Sequence, residues 1–310
     1  MKRRAFTLVE LLAVIAILAL LLGLLLPAIG GVRARARATV SMSNLRQWGV
    51  GFGSFSADRK GVLPWEGLKD ARDMPTNLAD RQRFWANVVP PLVDQPAYCD
   101  LAAPDGAVPT PKSGQNIFID PAAATPTDPT GGPFNGWAVP GSKVKFFFCY
   151  VPNSQLNNTL EARMDALPSE DPRALVNRLD PVSRKLSDEW IDARRIRLTQ
   201  CTQAANIVTM MEMRSTPDEL DGLGNVDGRA PKYWFPYYAE QLNRHRGDWQ
   251  RLAARHKNGG HVLMADGHVE WRDQVQAATP KGASAPSKDK TLDFNRPDTI
   301  WDPLGPAKMD

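Results

Sequence analysis

Residues 6–29 read FTLVELLAVIAILALLLGLLLPAI, and 20 of these 24 positions are apolar. As an α-helix the run is about 36 Å long at 1.5 Å per residue, enough to cross a hydrocarbon core of about 30 Å. The basic Met1-Lys2-Arg3-Arg4 precedes it, as in an export signal. A cleaved secretory signal, however, has an apolar region of only about 7–15 residues followed by a small-x-small site. Pro27-Ala28-Ile29-Gly30 matches such a site poorly. An uncleaved anchor with its basic end in the cytoplasm fits the length better.

Glu10 does not fit a plain anchor. It stands inside the apolar run, where an unpaired carboxylate costs a few kcal/mol. A cut between Ala5 and Phe6 would give Phe6 a positively charged α-amine one helical turn from Glu10, at the same depth. Among parallel helices, the carboxylate of one subunit could then neutralise the amine of its neighbour. Cutting explains Glu10, and an uncut anchor does not.

The stretch Arg3-Arg4-Ala5-Phe6-Thr7-Leu8-Val9-Glu10-Leu11-Leu12 resembles the processing and methylation motif of type IV prepilins and type II secretion pseudopilins. The resemblance implies that a prepilin peptidase cuts between Ala5 and Phe6 and methylates the new amine, and that Glu10 is the assembly residue. Pro27 also falls where pilin helices carry a kinking proline. The family usually has Gly before the cut, where this chain has Ala5; both are small.

The rest of the composition is that of a folded domain. The 310 residues are 43% hydrophobic and 23% charged, with a mean hydropathy of -0.36. These figures exclude collagen-like, fully disordered and polytopic membrane classes. The net charge of +4 comes largely from the leader, since removing Lys2, Arg3 and Arg4 leaves 35 basic against 34 acidic side chains. No nucleic-acid partner is expected. Arg33, Arg35 and Arg37 follow the span and balance the leader's charges, so the resemblance rather than charge counting places the head in the periplasm.

Leu45, Trp48, Phe52 and Phe55 recur at steps of 3, 4 and 3 residues and predict that the helix continues to residue 57 with this stripe in the core. Gly49, Gly51 and Gly53 weaken that helix by about 1 kcal/mol each relative to Ala. Eleven prolines between 90 and 140 predict long loops. Val144–Val151 and Asn206–Met213 read as strands, Ser187-Asp188-Glu189 as a helix start, and residues 279–290 as a flexible linker before a tail containing Trp301.

All four histidines lie between 245 and 268. Asp266-Gly267 between β-like runs predicts a hairpin with a two-residue type I′ turn. That register pairs Ala265 with His268 and Val262 with Trp271. It puts Val262, Met264, Val269 and Trp271 on one apolar face, and His261, His268, Glu270 and Arg272 on the polar one. His261 and His268 would then stand about 13 Å apart, too far for one metal whose ligands lie about 2 Å from it. The register therefore argues against a metal here, although His256 could fold back towards either histidine, and Asp266 is expected to stabilise the turn. His256, Asp266 and Gly267 together match the His-x9-Asp-Gly motif near the C-terminus of a large family of prepilin-like proteins. Asn44-Leu45-Arg46-Gln47 and Gly61-Val62-Leu63-Pro64 also resemble that family after its membrane helix.

Two further features bear on the head. Cys149 and Cys201 adjoin predicted strands and are the favoured pair for a disulfide, with Cys99 left over; three free thiols are the alternative. Asp218, Glu219, Asp221, Asn225 and Asp227 form an oxygen-rich loop. They are the calcium candidates, since major pseudopilins commonly bind calcium in a head-domain loop, although the loop lacks an EF-hand pattern. No other cofactor is expected, and no nucleophile, P-loop or dinucleotide motif indicates an enzyme.

The expectation is an α+β protein. Residues 1–5 are a prepilin leader, 6–29 a transmembrane helix, 30–57 its continuation, 58–278 a periplasmic head on an antiparallel sheet, and 279–310 a linker and tail. It would serve as a pseudopilin-like subunit of a type II secretion or type IV pilus-like system. Its partners would be prepilin peptidase, other pilin-like subunits and the bacterial inner membrane. A membrane-anchored periplasmic binding module that does not polymerise is the alternative.

Overall fold

In the computed structural model the described residues are 8–67, 78, 80–101, 109, 116–125, 137–138, 145–156, 197–215, 219, 247–287 and 292–303. Helix α1 runs without a break over Leu8–Asp58, 51 residues or about 76 Å. Its apolar first half is long enough to cross a membrane, and the side chains described there are exposed. From Ser41 onward one stripe turns inward, and Leu45, Trp48, Phe52 and Phe55 are buried as the spacing predicts. The helix closes where Lys60 and Gly61 take positive φ values of 54 and 87°. There the Gly61 N–H returns to the Ser56 carbonyl at 2.9 Å, a left-handed C-terminal cap.

The buried half of α1 packs on short elements and a sheet. The short helices α2 (Trp85–Val88) and α3 (Tyr98–Leu101) supply aromatics to its apolar stripe. Trp48 meets Trp85 and Phe118 edge-on at 5.2 and 5.3 Å, while Tyr98 packs on Phe148 at 4.5 Å. Fully burying one such ring stabilises the fold by about 1.5–3 kcal/mol, so this cluster anchors the helix to the head. Gly51 permits the approach: a Cβ there would lie 2.5 Å from Val89 Cγ1.

Strands β1 (Trp137–Ala138) and β2 (Lys145–Phe146) form a small ladder of their own. The main sheet has the order β3-β4-β5-β6, all antiparallel. Its strands are β3 (Tyr150–Pro152), β4 (Val208–Glu212), β5 (Gly259–Met264) and β6 (Val269–Asp273). The strand expected over Val144–Val151 is thus two strands with a break. Phe146, Phe147 and Phe148 are all buried, and a straight strand sends successive side chains to opposite faces.

One sheet face meets α1, where Leu263 lies under Gly49. The opposite face is covered by the segment around Trp249–Leu252, which reaches Met211, Val151 and Gly260. The C-terminal segment docks beside it. Trp249 stacks on Phe294 at 4.2 Å, and Trp301 is buried with its carbonyl accepting from Asn153 Nδ2 at 2.8 Å. The first part of the expected linker is held as well, because Lys281 N–H bonds Asp293 O and Ser287 N–H bonds Ala278 O. Short helix α4 (Gln274–Ala277), capped by Asp273, leads into it.

Candidate functional site

The hairpin β5–β6 forms, but its register differs by one residue from the expectation. Leu263 pairs with Val269, Val262 with Glu270 and His261 with Trp271. Gly267, at φ 92°, makes the loop three residues long: its N–H reaches Met264 O at 3.0 Å while Met264 N–H reaches His268 O at 2.9 Å. This is a type I turn with a glycine bulge. Asp266 does stabilise it, accepting from the His268 backbone at 3.1 Å and ring Nδ1 at 2.5 Å. Desolvation would raise the Asp266 pKa, but those hydrogen bonds hold it below the ordinary value. The φ pattern of a type I′ turn occurs instead at Lys257 and Asn258, 55 and 62°. These two residues bring His256 N–H onto Gly259 O at 3.0 Å.

The consequence is a different place for His261. Both faces of β5 are buried, so His261 lies inside, 5% exposed, and Trp271 is the residue left 43% exposed. A transverse row forms across the sheet: Tyr150 pairs with Glu212, Glu212 continues the Met211–Val262 register onto His261, and His261 pairs with Trp271. At Glu212 the strands part, since β4 turns to Leu252–Ala253. The Glu212 carboxylate fills the opening: Oε2 accepts from His261 N–H at 2.9 Å, and Oε1 meets His261 Nδ1 at 2.7 Å. Gly260 leaves room for it, because a Cβ there would lie 3.2 Å from Oε2.

Helix α1 closes the site from above. Ser41 donates to Glu212 Oε1, and its oxygen lies 2.8 Å from the Tyr150 hydroxyl. Because serine has one hydroxyl proton, Tyr150 donates to Ser41. Burial, reinforced by Asp120 and Glu212, raises the Tyr150 pKa well above its ordinary value, so the phenol keeps that proton.

His256 completes the cluster. Its Nε2 lies 3.3 Å from Asp120 Oδ2 and 3.6 Å from Glu212 Oε1, and its ring is 4.7 Å from that of His261. Trp271 Nε1 donates to its carbonyl at 2.6 Å. Burial lowers the His256 pKa, but Asp120 and Glu212 outweigh it and the net shift is upward. Arg255 Nε binds Asp120 at 2.5 Å, and its Nη1 binds both Glu219 oxygens at 2.8 and 2.9 Å. Burial would raise the Asp120 pKa, yet Arg255 and His256 hold it well below the ordinary range.

Several expected residues find other places. Cys149 and Cys201 are not bonded; all three cysteines are free thiols. Cys149 is locked in the core beside β3, its thiol pushed up to about 12 by burial, while Cys201 Sγ contacts Arg197 O at 3.6 Å. Glu219, grouped above with the calcium candidates, binds Arg255 instead. Asp218, Asp221, Asn225 and Asp227 lie outside the described residues, as do Ala5, Phe6 and the Ser187 helix start. Glu10 is in the first turn of α1 and exposed.

Ser41, Asp120, Tyr150, Glu212 and Arg255 belong to no motif. Only Glu212 carried a signal, as a lone carboxylate within the apolar run Asn206–Met213.

Residues 1–26 match the family described as "Prokaryotic N-terminal methylation motif". No curated protein and no solved structure matches the chain. The head thus rests on its own geometry, whereas the N-terminus has a family. That motif heads a long apolar helix followed by an antiparallel sheet, a pilin-like α+β architecture.

Proposed function

We propose that the chain is a pseudopilin-like structural subunit of a type II secretion or type IV pilus-like apparatus. The observation that carries this reading is the methylation motif over residues 1–26, continuous with one 51-residue helix whose outer half exposes its apolar side chains. Prepilin peptidase cuts between Ala5 and Phe6, and the new amine is methylated without losing its charge. The helix stays in the inner membrane with the head in the periplasm. Subunits then associate through their apolar helices, the Glu10 carboxylate of one facing the Phe6 amine of the next.

The head's part is to hold α1 at a fixed angle. The aromatic cluster around Trp48 and the Ser41–Glu212 bond grip the same helical stripe about two turns apart. Mass spectrometry of the N-terminal peptide from the membrane fraction tests the reading. A mature chain beginning at methylated Phe6 is expected; an intact Met1 would overturn it.

A further inference from the structure

Glu212 is fully buried, and among the described residues no Lys or Arg nitrogen comes within ion-pair distance of it. Its neighbour Asp120 differs, having the guanidinium of Arg255 against it. A buried carboxylate with no guanidinium or ammonium in contact is expensive. The groups that do face Glu212 are one hydroxyl, one backbone N–H and two imidazoles. We infer that Glu212, His256 and His261 form a metal site for a late first-row divalent cation, with zinc as its best occupant.

The geometry suits such an ion. One ligand atom from each residue lies within 4.8 Å of the other two, and all three residues are buried. Glu212 Oε1 stands 2.7 Å from His261 Nδ1 and 3.6 Å from His256 Nε2. Ligands of a tetrahedral zinc at bond lengths of about 2.0 Å stand about 3.3 Å apart, between those two values. Two imidazoles with one carboxylate is a donor set that favours zinc and its neighbours over calcium or magnesium. The expected register opposed a metal through the separation of His261 from His268; here His256 takes the place of His268, and His261, paired with Trp271, is buried beside it.

The ligands come from three segments. Glu212 ends β4, His256 precedes the Lys257–Asn258 turn and His261 is in β5, while Ser41 joins the carboxylate to α1. An ion here ties the point where β4 and β5 part to the helix above. Each neutral imidazole would bind through one ring nitrogen and keep its proton on the other, so the ion neutralises Glu212 and clamps the head in one step.

The test uses the full-length chain, purified in detergent without a histidine tag, stripped with chelator, loaded with zinc chloride and desalted. Wild type should retain about one zinc per chain, and zinc should raise its thermal midpoint. His256→Gln with His261→Gln should retain less than about a tenth of that, while His268→Gln, outside the cluster, keeps it in full. Zinc-free wild type after loading, or undiminished zinc in the double variant, would overturn the inference. Should the double variant not fold, the cobalt(II)-loaded wild type decides. X-ray absorption showing two imidazole nitrogens and a carboxylate supports the site, and any other ligand set refutes it.

Discussion

The Ser41 hydroxyl on α1 donates to the Glu212 carboxylate at the end of β4, joining residues 171 positions apart in sequence. The same hydroxyl oxygen accepts from Tyr150, to which Asn44 Nδ2 donates at 3.4 Å. A relay of buried polar groups therefore runs from the helix into the sheet. Ser41→Ala removes the middle of it and leaves Tyr150 and Glu212 each short of a partner. A hydrogen bond to a charged group contributes about 1.5–3 kcal/mol, and the variant should lose about that much. Urea unfolding of the detergent-solubilised chain, followed by near-UV circular dichroism, measures it. A loss below about 0.5 kcal/mol would show that the relay does not hold the helix.

The glycines of α1 divide by what stands over them. A Cβ on Gly51 would lie 2.5 Å from Cγ1 of the fully buried Val89, whereas one on Gly53 would meet nothing within 4 Å. Gly53→Ala should therefore stabilise the chain by up to about 1 kcal/mol through helix propensity. Gly51→Ala should destabilise it by about 1–3 kcal/mol, because overpacking outweighs the same gain. The same unfolding measurement on both variants checks the sign of each. Equal effects would show that α1 does not pack on Val89 this closely.

What could be read in the sequence was local. The apolar run, the leader motif and the stripe of Leu45, Trp48, Phe52 and Phe55 all repeat within a few turns of one helix, where periodicity carries the information. The hairpin was visible for the same reason, yet its register was not. A two-residue turn and a three-residue turn with a glycine bulge differ only in whether Gly267 lies inside the turn or closes it. That one-residue difference sets Trp271 rather than Arg272 opposite His261, and His261 is buried because both faces of the interior strand β5 are covered. The cluster was hidden for another reason: Ser41, Asp120, Tyr150 and Glu212 meet only through tertiary packing, with no fixed spacing among them.

Asp266 gives a pH dependence of definite sign. Its pKa is lowered in the fold, so its contribution is present above the ordinary value of 3.8 and is lost as pH falls through the lowered one. The groups around it are His268, which touches it, and Glu270 and Arg272 beyond. Asp266→Ala should be less stable than wild type at pH 7, by a small amount because the pair is half exposed. The difference should shrink steadily below the ordinary carboxylate range. Thermal midpoints of the two proteins across that range check this, and a gap that widens with acid would contradict it.

In the proposed pathway Glu10 separates processing from assembly. It lies in the first turn of α1 and is exposed, where the proposed assembly would bring a neighbouring helix. On the proposed reading the peptidase acts on the Ala5–Phe6 bond, away from the carboxylate, so Glu10→Ala should still yield a methylated Phe6. Incorporation is another matter. A charge matched within lipid is worth a few kcal/mol and each 1.4 kcal/mol is tenfold, so assembly should fall on the order of a hundredfold. Glu10→Asp, which keeps the charge one methylene shorter, should restore part of it. Cross-linking within the apolar helix reads the result in membranes. A ladder of oligomers for wild type and only monomer for Glu10→Ala is expected. An undiminished ladder with Ala at this position would mean that the helices associate by packing alone.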